Sequence, residues 1–93
     1  MGLTVTTHNI KCWPGPFQAM EAGDKTFEYR LNDRDYEVGD ILNIMEWNPE
    51  ANEGQGNFTN RELKRIVTYM LRGGKFGLPK RYVVMAVRPL STT

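Results

Sequence analysis

The chain has 93 residues, a formal net charge of +1, and 25% of its positions are Asp, Glu, Lys or Arg. That length describes one small domain with a modest core, and the near-neutral balance excludes a general polyanion binder, so any nucleic-acid contact must use a local patch. A single cysteine, Cys12, and a single histidine, His8, exclude an internal disulfide framework, a cysteine zinc cluster and an all-histidine metal site within one chain. Neither a metal nor a cofactor is expected. No apolar run approaches a membrane span, and the lone thiol fits a reducing compartment; the chain reads as cytoplasmic, without a membrane partner.

In chain order, Leu3 to Cys12 reads as extended, because its run of threonines and Val5 is β-branched. Pro14 and Pro16 stop that strand. Phe17 to Ala22 is a short helix candidate, with Pro16 suited to the first helical position and Gly23 to a left-handed exit. Thr26 to Leu31 alternates: Phe27, Tyr29 and Leu31 on one side, Thr26, Glu28 and Arg30 on the other. The first set is apolar enough to face a core; the second, with Lys25 at the strand entrance, forms a compact polar row.

Asn32 to Asp35 is a polar connection and Val38-Gly39-Asp40 a second turn. Asp40 to Trp47 is largely apolar on both faces and reads as a central strand. Asn48 to Asn60 is the one long loop, and Arg61 to Leu71 resumes as a strand, since Ile66 to Tyr69 are strand formers. Arg72 to Arg81 is a basic, glycine-rich connection, and Tyr82 to Val87 is the last strand. The sequence thus predicts a mainly β (α+β) domain over 1–93, with a core of about 8–88 and short flanks at 1–7 and 89–93. Five strands, or six if the N-terminal threonines pair, should form an antiparallel, partly closed pseudo-barrel with one or two short helices. Tyr29, Ile41, Ile44, Val67 and Val84 are the expected core.

The order of these pieces carries a resemblance. His8 to Lys11, Phe17, the run Gly23-Asp24-Lys25-Thr26-Phe27-Glu28-Tyr29-Arg30, Asn32 to Tyr36, Val38-Gly39-Asp40, and Gly77-Leu78 before Tyr82 to Met85 resemble a group of short bacterial and phage proteins of unassigned function. That group is similar to the ASCH branch of the PUA-like superfamily, and the likeness spans His8 to Val87. The resemblance implies a β-barrel with the helix near one mouth and a cleft bounded by the helix and the Lys25 strand. It implies RNA or a modified nucleotide as partner. It also raises an amidohydrolase acting on acylated nucleobases of the N4-acetylcytidine kind, whose relatives use a lysine, a threonine three residues on, and a distant glutamate. Lys25 matches the lysine, Glu28 stands where the threonine should be, and the helical insertion bearing the glutamate is missing.

Nucleic-acid contacts are accordingly expected at Lys11, Trp13, Lys25, Thr26, Glu28 and Arg30, and at Lys75, Lys80 and Arg81, which lie beside Phe76 and Tyr82. If there is catalysis, Lys25 and Glu28 carry it. Against each stands an ordinary structural role: Glu28 and Arg30 as a surface ion pair, Lys25 as a helix-end cation, Trp13 as a lid over the core, His8 as a structural histidine and the basic hairpin as a solvated tip. A phage–host protein-interaction module is the further alternative.

Overall fold

The computed structural model describes residues 5–90. The expected extension through Leu3 and Thr4 and the expected frayed end at Ser91 to Thr93 lie outside the described residues. Five strands and one helix follow in the order β1 (Thr7–Cys12), α1 (Pro14–Glu21), β2 (Phe27–Leu31), β3 (Ile41–Asn48), β4 (Asn57–Arg72) and β5 (Tyr82–Pro89). They make one curled half-barrel sheet with the strand order β1-β3-β4-β5-β2. The mainly β reading holds, as does β4 as a strand.

The topology departs from a simple antiparallel succession. β1 pairs with β3 in parallel, Thr7 opposite Ile41 through Cys12 opposite Glu46, whereas β3–β4, β4–β5 and β5–β2 are antiparallel. Strand propensity does not encode partner choice, and here α1 and β2 intervene between β1 and its neighbour β3. The two edge strands, β1 and β2, face each other across an open seam. The expected loop is shorter than Asn48 to Asn60, because β3 and β4 continue pairing to Trp47–Phe58 and Asn48–Asn57.

The concave side holds the core: Ile10, Phe17, Met20, Tyr36, Leu42, Ile44, Val67, Val83 and Met85 are all essentially inaccessible. Ile44 and Val67 meet the expectation, Ile41 and Val84 are half-buried, and Tyr29 is 47% exposed. α1 starts at Pro14, with both prolines in its first turn, where no intrahelical N–H is needed. It buries only Phe17 and Met20, one turn apart, and ends at Gly23 with φ +88°. Below the strands, His8 Nε2 and Asp40 Oδ2 lie 2.8 Å apart, both buried, with the Tyr36 ring edge-on to the imidazole. Asp40 Oδ2 also accepts the Glu37 N–H at 2.9 Å. His8 is therefore a structural clasp between the starts of β1 and β3, and Asp40 a holder of its turn.

Candidate functional site

β2 is the point of largest disagreement with the pattern reading. Glu28 is 4% exposed, whereas Phe27, Tyr29 and Leu31 lie on the outer face, 39–47% exposed. Alternation fixes which residues are on opposite faces; it does not say which face is inside. Here the concave face of β2 looks onto the seam beside α1, and the polar row fills it.

A buried carboxylate must be paired and hydrogen-bonded, and both oxygens of Glu28 are. Lys25 Nζ donates to Oε2 at 2.6 Å, and Arg30 Nε donates to Oε1 at 3.0 Å. The helix exit explains the lysine: the amides of Asp24 and Lys25 both bond back to the Ala19 carbonyl, which folds the chain tightly enough to bring Lys25 alongside β2. Lys25 Nζ also donates to the Phe27 carbonyl at 2.7 Å. Arg30 reaches further, with Nη2 donating to the Lys11 carbonyl across the seam.

That last bond shows how the half-barrel is closed. Ile41 N–H takes the Thr6 carbonyl, so along β1 the even-numbered residues face β3 and the backbone groups of Asn9 and Lys11 face the open edge. Arg30 takes the Lys11 carbonyl, and Arg34 Nη1 takes the Asn9 carbonyl at 2.7 Å. Two guanidinium groups thus stitch the seam where a strand ladder is missing. On the other lip, Val87 N–H to Thr26 O and Asn32 N–H to Arg81 O turn the even-numbered residues of β2 toward β5, leaving the Tyr29 peptide groups toward the opening.

Above the stitches the seam widens into a cleft of about 410 Å³, lined by Lys11, Cys12, Trp13, Pro16, Lys25, Phe27, Glu28, Tyr29 and Arg30. That volume lies within the range of small-molecule sites, roughly 300–1,000 Å³. The expected residues Lys11, Trp13, Lys25, Glu28 and Arg30 converge here. Trp13, 58% exposed, stands at the rim and is not a lid over the core. The Lys11 ammonium sits 4.4 Å over the Trp47 ring, so it is Lys11 that is drawn aside and Lys25 that remains the cation of the floor. Thr26 is exposed and does not line the cleft. Lys75, Lys80 and Arg81 are exposed on the β4–β5 hairpin, at the other end of β2 from Lys25, about 20 Å along the strand direction.

Four lining residues escape the sequence reading: Phe27 and Tyr29 read as core, Pro16 as a helix start, and Cys12 only as a redox marker. The parity that puts Cys12 on the His8–Ile10 face was the available signal. Burial, then the Glu28 carboxylate, push the Cys12 thiol above its ordinary value, against the opposing pull of Lys25 and Arg30. A second buried glutamate, Glu46 (4% exposed), accepts from Thr59 Oγ1 at 2.7 Å and stands 3.7 Å from Arg61 Nη1. It borders a smaller recess of about 210 Å³. Among the described residues no cluster of three or more His, Cys, Asp or Glu could hold a metal ion, and no helix is long and apolar enough to cross a membrane.

Fold and cleft together define a small β half-barrel domain with a salt-bridged polar cleft between its two sheet edges. Residues 7–87 match the family described as Domain of unknown function (DUF3850), and the chain belongs to that family. It is also 36% identical over 61 residues to an Escherichia phage P2 protein described as "Uncharacterized 12.9 kDa protein in GpA 3'region"; the match covers 66% of this chain and 50% of that protein. The chain thus spans about half the length of the curated relative it matches.

Proposed function

We propose that this domain is an ASCH-type, PUA-like fold that binds RNA or a nucleotide in the seam cleft, working in the cytoplasm. The observation that carries the reading is the convergence of Lys25, Glu28 and Arg30 with the Trp13 ring and the free Tyr29 peptide edge on one cavity of nucleoside size. Lys25 keeps a third N–H beyond those given to Glu28 and Phe27, and its side chain is 19% exposed, so it is the donor a ligand oxygen meets. Glu28 and Arg30 hold it there. Trp13 offers a face for a base, and the Tyr29 N–H and C=O offer one donor and one acceptor for a base edge. The hairpin cations Lys75, Lys80 and Arg81 meet the phosphates of a longer ligand.

Lys25→Ala removes one charge-assisted bond, about 1.5–3 kcal/mol, and is expected to weaken binding of cytidine or adenosine 5′-monophosphate by about tenfold or more. Isothermal titration of the two proteins measures it; equal affinities would remove Lys25 from the site.

One geometric feature favours a second reading as an amidohydrolase on an acylated nucleobase. The 2.6 Å contact between Lys25 Nζ and Glu28 Oε2 puts a potential acid and base within hydrogen-bond reach of each other in the cleft. Release of acetate from N4-acetylcytidine, abolished by Lys25→Ala and by Glu28→Gln, would rank catalysis above binding.

A further inference from the structure

We propose that the convex face of β4, β5 and β2 is a stacking platform for single-stranded nucleic acid, fed by the cations of the β4–β5 hairpin. The proposal rests on the nucleic-acid reading above and places the partner on a second surface, which shares Phe27 and Tyr29 with the rim of the cleft and adds Tyr69 and Tyr82.

The platform follows from strand register. Val83, Met85 and Val87 point into the core, so Tyr82, Val84 and Ala86 point outward. Across the ladders, Tyr69 and Phe27 flank Ala86, while Leu71 and Tyr29 flank Val84. The Tyr29 and Tyr82 rings stack at 5.2 Å, yet Tyr29 is 47%, Tyr82 36% and Tyr69 65% exposed. Aromatic rings spread over neighbouring strands and open to water suit the faces of unpaired bases. They do not suit a duplex, whose base faces are already stacked.

Charge selects the partner. All eleven Asp and Glu residues precede Leu63, whereas Leu63 to Thr93 holds seven Lys or Arg and no acid. The net charge of +1 therefore conceals a strongly polar distribution, and the basic third forms the second half of β4, the hairpin and β5. Among the described residues, Lys75, Lys80, Arg81 and Arg88 form no ion pair. A second copy docking through the same face would bring these cations against their own images; a phosphate backbone would be drawn to them.

The test is fluorescence anisotropy of labelled oligouridine with the full chain, beside titration with cytidine 5′-monophosphate as the cleft probe. Wild type is expected to bind oligouridine more tightly than the oligouridine–oligoadenosine duplex. Tyr69→Ala should lose about fivefold or more, as expected for one stacked base, whereas Tyr69→Phe, which keeps the ring, should retain binding. Tyr69 touches neither the core nor the cleft, so the mononucleotide affinity should stay unchanged in both variants. Oligouridine binding that is absent, that survives Tyr69→Ala, or that is matched by the duplex would overturn the platform, whatever the mononucleotide does. So would a concentration-dependent dimer in sedimentation that Tyr69→Ala dissolves. A mononucleotide that fails to bind beside an oligouridine that does would overturn the cleft reading and leave the platform standing.

Discussion

Glu28→Ala is expected to lower the free energy of unfolding by about 3–5 kcal/mol. Two regimes compete. An exposed ion pair is worth roughly 0–1 kcal/mol, because water screens it and side-chain entropy opposes it. A buried one that loses a partner leaves charge without solvent or counter-charge. Burial decides: the Glu28 side chain is 5% exposed, Lys25 19% and Arg30 27%, so removing the carboxylate strands two half-buried cations beside each other. Small domains have a total stability of about 5–15 kcal/mol, which makes this a large fraction. Glu28→Gln should cost less, since its oxygen still accepts from one cation while its NH2 is turned toward the other. Urea denaturation reads both; a loss under about 1 kcal/mol for Glu28→Ala would mean that the triad behaves as solvated surface.

Phe17→Ala is expected to cost about 3–5 kcal/mol and to impair the cleft without touching a polar residue. Phe17 and Met20 are the only buried side chains of α1. The helix is too short to persist on its own propensity, so half of what docks it on the sheet is lost. Trp13 and Pro16 hang on its first turn and form one wall of the cleft. The Arg61 guanidinium, 4.9 Å above the Phe17 ring, loses its platform as well. Denaturation should show the loss, and the α1 amides should exchange faster than those of β3 and β4. A loss under about 1 kcal/mol, with α1 protection unchanged, would show that the helix is held by other means.

How much of this could be read from the residues varies by element. β3 was recognisable as central because both its faces are apolar, and it does lie between β1 and β4. β4 was recognisable as a strand because Ile66 to Tyr69 disfavour a helix. The proline-entered, glycine-terminated helix was legible from local backbone chemistry. Partner choice was not: the parallel β1–β3 pairing and the separation of β1 from β2 depend on contacts far apart in sequence. The orientation of β2 is not legible for a related reason. Phe27, Tyr29 and Leu31 were hydrophobic enough for a core, and only the tertiary neighbours of Glu28 make the opposite face the buried one. Tyr36, fully buried in a connection rich in Asp and Arg, carried no periodic signal; its amide is pinned by the Asn32 side chain at 3.1 Å. The cleft residues Lys25, Glu28 and Arg30 are identifiable as a polar row, whereas the stitching of the β1 carbonyls by Arg30 and Arg34 joins residues 19 and 25 positions apart and leaves no local signal.

The most direct test of the seam cleft as the binding site is a map of backbone amide shifts during titration with cytidine 5′-monophosphate. The arrangement predicts saturable shifts at Lys11, Cys12, Trp13, Lys25 and Tyr29, on both lips of the seam, and their disappearance in Lys25→Ala. Shifts confined to the β4–β5 hairpin, or none on either lip at saturating nucleotide, would contradict it.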